Sequence, residues 1–191
     1  MRITSSILRQ TYPSVSDRYQ LYEGLFSEQD ITTQRYDVFI SHSYYDKEDA
    51  ARLGQLFEDE GYIPFIDWQK TDLQDRSKMD ADRAKVLRQV LKNCRFLVFI
   101  ATSNSEESVW CPWELGIVDA STNGKCFIMP PLDDYLDSDD YKENEYLGIY
   151  KELSFDSKFG FLVGNIPLED IISPSNPKDL VQKMFNRIQF M

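Results

Sequence analysis

Arg95-Phe-Leu-Val-Phe-Ile-Ala101 is the most continuous apolar run in the chain, and its reading decides the fold. Successive side chains of a strand point to opposite faces, so apolar residues at every position mean a strand covered on both sides. That belongs in a parallel sheet with helices above and below. The run gives way to polar Thr102-Ser-Asn-Ser-Glu-Glu107, and then to Ser108-Val-Trp-Cys-Pro-Trp-Glu-Leu115, which opens a helix. Asn123-Gly124 ends that helix after about Thr122. Trp110 and Glu114 stand four residues apart, so on a helix both project from one face. Each also has an ordinary reading: a Trp near a helix start packs, and a Glu in the first turns complements the helix dipole.

Working outward, Tyr36-Asp-Val-Phe-Ile-Ser41 reads as a first strand, ending in small and polar His42-Ser-Tyr-Tyr-Asp46, which caps a helix. That helix turns Ala50, Leu53, Leu56 and Phe57 inward and Lys47, Glu48, Asp49 and Glu58 outward, until Gly61 stops it. Tyr62-Ile-Pro-Phe-Ile66 is a second strand, and Pro64 puts it at or near a sheet edge. Residues 67–77 follow neither period and read as a long polar loop, a length that tends to be functional. Ala84, Leu87, Val90, Leu91 and Cys94 stripe the next helix. Lys125–Met129 is a fourth strand, stopped by Pro130-Pro131. Beyond an acidic run at about 131–145, Tyr146–Tyr150 and Phe159–Val163 are candidate strands, and Asn176-Pro177 starts a last helix through Leu180, Val181, Met184, Phe185 and Ile188. Strand and helix thus alternate four times, which gives an α/β fold with a doubly wound parallel sheet. Ligands of such sheets sit outside the carboxyl ends of the strands, near the switch in strand order. Ser41–Tyr45, Asp67–Ser77 and Thr102–Glu114 all follow strand ends and should converge there.

The 191 residues suit one domain with an extension: residues 1–35 precede the first strand, and 36–191 form the domain with its acidic insertion. Tyr19, Tyr22, Leu25 and Phe26 fall at helical spacing after Ser16-Asp17 and predict a short amphipathic helix in that extension. No apolar run is long enough to span a membrane, and the amino terminus lacks a secretion signal's apolar core, so a cytoplasmic protein is expected. Three cysteines, Cys94, Cys111 and Cys126, are read as reduced thiols, with Cys111 a packing residue. A single histidine, His42, and no CxxC spacing leave no metal site to expect. The net charge of −11 argues against a nucleic-acid surface but not against one phosphorylated small molecule.

No glycine fingerprint for nucleotides, no G-x-S-x-G elbow and no aspartate at the end of the third strand are present. What remains is chemistry that one carboxylate can run. Cleavage between ribose and a pyridinium releases a neutral base and needs no general acid, unlike glycoside hydrolysis with its carboxylate pair. A fixed anion beside the oxocarbenium-like ribose is worth several kcal/mol, to order of magnitude, in a partly dry cleft. Glu114 suits that charge and Trp110 a stacked ring, with Ser41, His42, Ser43, Tyr44 and Ser103 as candidate nucleotide contacts and Asp67 and Trp68 on the rim.

Asp37-Val-Phe-Ile-Ser41, Phe65-Ile-Asp67 and Trp110-Cys-Pro-Trp-Glu-Leu115 together resemble the three sequence boxes of a Toll/interleukin-1 receptor (TIR) domain over roughly residues 35–130. The resemblance implies a flavodoxin-like fold with a five-stranded parallel sheet and helices on both faces. It implies self-association through the loop 67–77. In the enzymatic branch it implies NAD+ as substrate rather than cofactor, no other cofactor, and Glu114 as the cleaving glutamate with Trp110 stacking the ring. The small format is similar to bacterial TIR proteins that make nucleotide signals or deplete NAD+ in antiphage defence, where an effector protein can read the product. Two other readings stand beside it: a TIR adaptor that only binds other TIR domains, and an enzyme similar to nucleoside deoxyribosyltransferases.

Overall fold

In the computed structural model, which describes residues 3–14, 32–66, 81–130 and 146–173, the apolar runs become a parallel sheet. Strands β1 (Tyr36–Ser41), β2 (Pro64–Ile66), β3 (Cys94–Ile100), β4 (Cys126–Met129) and β5 (Lys151–Asp156) lie in the order β2-β1-β3-β4-β5. Every neighbouring pair among them is parallel. The order reverses between β1 and β3, the switch point of a doubly wound sheet. As Pro64 foretold, β2 is an edge strand. Two short strands, β6 (Gly160–Val163) and β7 (Ile166–Pro167), continue the sheet antiparallel beyond β5, making seven strands among the described residues.

The helices are α1 (Ser5–Thr11), α2 (Lys47–Asp59), α3 (Ala81–Asn93), α4 (Ser103–Glu106), α5 (Trp110–Thr122) and α6 (Leu168–Ile172). Alternation along β3 divides the core. Phe96, Val98 and Ile100 join Val38, Ile40 and the α2 residues Leu53, Leu56 and Phe57 on one face. Leu97 and Phe99 join Phe39, the α3 residues Leu87, Val90 and Leu91, and the α5 residues Leu115 and Val118 on the other. Full burial of such a side chain stabilises by about 1.5–3 kcal/mol, so β3, buried on both faces, is the strand that the core depends on most. α2 ends where Gly61 takes φ +86°, and α5 ends where Asn123 takes φ 58°, both left-handed turns. None of these helices is long and apolar enough to cross a membrane.

Two expectations change. Tyr146–Tyr150 is not a strand: a 3-10 turn at Leu147–Ile149 buries Leu147 and leaves Ile149 73% exposed, with Tyr150 N–H donating to the Leu147 carbonyl at 3.1 Å. The strand is the next segment, where Leu153 and Phe155 are apolar at period two within an otherwise polar stretch. The second change lies at the amino terminus. α1, capped by Thr4, buries Ile3 and Leu8 in the α2-side core. Buried Arg52 of α2 donates to the Tyr12 carbonyl at 3.2 Å, and Ser5 Oγ donates to Asp49 at 2.5 Å, so polar bonds fix the segment that the apolar pair anchors. The helix expected over Tyr19–Phe26, the loop 67–77, the acidic insertion and the last helix from Asn176 lie outside the described residues.

Candidate active site

At the switch point the end of β1 meets the first turns of α5. Ser41 is the last residue of β1, in register with Phe99 of β3. Its Oγ donates to Glu114 Oε2 at 2.6 Å, joining residues 73 apart in sequence. Ser41 is 1% exposed and Glu114 4%. A carboxylate withdrawn from water is costly unless hydrogen-bonded, so the hydroxyl at the strand end both permits Glu114 to be buried there and fixes its orientation.

Four residues earlier on the same helix, Trp110 is half-buried. Its ring meets that of Trp113 edge to face, with centroids 5.5 Å apart, and the Arg88 guanidinium of α3 lies 5.6 Å from the centre of Trp113. The indole is therefore braced from behind. Ser108, two residues ahead of the helix, ties down its first turn: its Oγ accepts from Trp110 N–H at 3.3 Å and Cys111 N–H at 3.4 Å.

The other candidate residues fall around this pair unevenly. Ser43 is buried, and its carbonyl accepts from Asp46 N–H at 2.9 Å in a 3-10 turn over Tyr44–Asp46. His42 is half-buried, with Nδ1 3.2 Å from the Ile40 carbonyl, an acceptor that requires the proton on Nδ1. Tyr44 is exposed, edge to face with Tyr45, with Lys47 Nζ 4.8 Å above its ring. Ser103 is exposed in the first turn of α4. Asp67 and Trp68 lie outside the described residues.

Three residues that were not candidate contacts, Asp46, Thr102 and Asn104, tie the segment after β1 to the segment after β3. Thr102 Oγ1 donates to Asp46 Oδ2 at 2.6 Å, and Asn104 Nδ2 donates to Asp46 Oδ1 at 2.8 Å. Burial pushes the Asp46 carboxyl above its ordinary pKa, aided by the charge of Asp49, while these two hydrogen bonds pull the other way. Thr102 also begins α4 with a capping box, its side chain taking Ser105 N–H while Ser105 Oγ takes Thr102 N–H. Thr102 and Ser105 at that spacing were the legible signal; nothing local pointed from Asp46 to residues 56 and 58 positions away.

The three cysteines carry free thiols. All three are buried, and desolvation raises the thiols of Cys94 and Cys126, the latter to about 12. Among the described residues no group of His, Cys, Asp and Glu could hold a metal ion.

A family model described as TIR domain matches residues 38–160. The chain is 32% identical over 154 residues to a protein named probable 3′ cyclic ADP-D-ribose synthase ThsB′ from Bacillus cereus (strain MSX-D12), covering 76% of this chain and 79% of that one. It is also 33% identical over 81 residues to a protein named putative cyclic ADP-D-ribose synthase TIR2 from Cytobacillus dafuensis. There the match covers 42% of this chain and 21% of the relative.

Proposed function

The chain belongs to the TIR domain family, and from that membership we propose that it is an enzyme that cleaves NAD+ and closes the ADP-ribose into a cyclic nucleotide signal, in bacterial antiphage defence. The observation that carries the reading is the buried Ser41–Glu114 hydrogen bond, which sets an oriented carboxylate at the switch point of the sheet. The names of the two relatives, both cyclic ADP-D-ribose synthases, support cyclisation over simple hydrolysis.

In the proposed reaction the bond between ribose and nicotinamide breaks and its electron pair leaves with the base, which departs neutral. Glu114 faces the positive charge that develops on the ribose; Trp110 stacks the nicotinamide ring and keeps water from it. A hydroxyl of the same nucleotide then bonds to the sugar carbon and sheds a proton. Water in its place gives linear ADP-ribose. Ser41 holds Glu114, and Tyr44 with Lys47 supplies an aromatic and cationic edge for the remainder of the nucleotide. Assembly through TIR–TIR contacts completes the proposal.

Incubation of the pure protein with NAD+, dilute and under conditions that promote assembly, tests this by chromatography of the products. Nicotinamide release is expected with a cyclic coproduct, lost in Glu114→Gln and much reduced in Trp110→Ala. Wild-type rates in Glu114→Gln would reduce Glu114 to a helix-start residue and leave only the docking role.

A further inference from the structure

Asp46 stands at the amino end of α2, where an aspartate ordinarily caps the helix by accepting from the backbone N–H groups of its first turn. Here its side chain makes no such bond. Both carboxylate oxygens reach instead across the switch point, Oδ2 to the Thr102 hydroxyl and Oδ1 to the Asn104 amide. Those two residues lead out of β3 toward Trp110 and Glu114, while Asp46 closes the turn that follows Ser41 and carries Tyr44. We infer that Asp46 is a positioning residue, a bridge rather than a helix cap, which holds the segment after β1 and the segment after β3 at the separation that the Ser41–Glu114 pair and Trp110 require.

The path from Asp46 to the indole is short and continuous. Thr102 is fixed by the bridge and starts α4 through its capping box with Ser105. Ser108 N–H donates to the Ser105 carbonyl at 3.2 Å, and Ser108 Oγ then accepts from Trp110 N–H. Ser105 is fully buried and cannot shift without disturbing its neighbours. α4 has only four residues, too few to hold its own shape, so it depends on such anchors. A hydrogen bond to a carboxylate is stronger than one between neutral groups, and two of them make a firm polar link between these two segments.

The catalytic part of this inference rests on the NAD+ reading; the bridge itself does not, and the experiment separates them. Amide hydrogen exchange is measured on wild type, Asp46→Ala, Asp46→Asn and Asn104→Ala, alongside kcat and KM for nicotinamide release. Asn104→Ala removes one arm and leaves Asp46 in place, should Asp46→Ala fold poorly. The bridge predicts exchange about tenfold faster or more over 102–110 in Asp46→Ala, with protection over 47–50 little changed. It predicts kcat/KM down by about tenfold, in KM as well as kcat because the wall moves, and a smaller loss in Asn104→Ala. Asp46→Asn recovers most of the loss, since its amide accepts from Thr102 and donates to a turned Asn104. Faster exchange confined to 47–50 would overturn the inference and make Asp46 a simple cap, and looser 102–110 with unchanged kinetics would overturn the positioning role. A wild-type protein inert toward NAD+ would defeat the proposed function, and the exchange pattern alone would then decide whether the bridge exists.

Discussion

At the amino ends of β1 and β3, Arg95 donates to Asp37 at 2.8 Å and to Glu169 of α6 at 2.9 Å, and also to Ser173, in a partly exposed cluster. Asp37 takes Ile63 N–H with its second oxygen, and Lys125 Nζ donates to the Ile172 carbonyl at 2.8 Å. At the carboxyl ends of the same strands, the carboxyl groups of Glu114 and Asp46 are held by hydroxyl and amide donors, and Glu114 is nearly sealed from water. The two ends teach different lessons. Partly exposed charges, matched by an opposite charge or a carbonyl, fasten α6 to the strand ends at a modest gain in stability. A carboxyl group oriented by a hydroxyl in a dry setting is instead held there at a cost to stability.

The largest effect that would sharpen this contrast is chemical. Glu114→Gln keeps the shape and an acceptor for Ser41 but loses the charge, and nicotinamide release should fall by about 10²–10³-fold with the melting temperature unchanged or raised. Ser41→Ala should lower turnover by about tenfold, because Glu114 loses its orienting bond, with about 1 kcal/mol lost in urea denaturation. Arg95→Ala should invert that pattern, with about 1 kcal/mol of stability lost and kcat/KM unchanged. A turnover defect there would break the division between the ends.

The smallest effect is a pH dependence at the amino end. Burial, then the nearby Glu169 charge, raises Tyr62 from 10.0 to about 12, partly offset by Arg95. Since the folded value lies above the unfolded one, its contribution is fully present below pH 10 and is lost as pH rises through about 12. Urea denaturation at stepped alkaline pH should show a shallower decline for Tyr62→Phe than for wild type, and parallel curves below pH 10.

Local sequence carried much of this. Continuous apolar runs located β1, β3 and β4, a stripe at the helical period located α2, and a polar lead-in with the Asn123-Gly124 stop located α5, all nearly to the residue. β5 escaped because Lys151, Glu152, Ser154 and Asp156 dilute its pattern, while the more apolar Tyr146–Tyr150 contains Gly148 and folds as a turn. The Trp110–Glu114 spacing alone puts both residues on one helical face. Asp46 was misleading for the opposite reason: aspartate before a helix reads as a cap whatever lies across the cleft.

By itself, then, the chain order determined the alternation of elements, the edge position of β2 and the placing of Trp110 and Glu114 one turn apart on a helix, since all of these follow from local periodicity and residue chemistry. Only the tertiary structure decided that Ser41 would meet Glu114 and that Asp46 would turn from its own helix to Thr102 and Asn104. Hydrogen bonds between residues 56 to 73 positions apart are set by how strands register and helices pack, and a linear pattern carries no record of that.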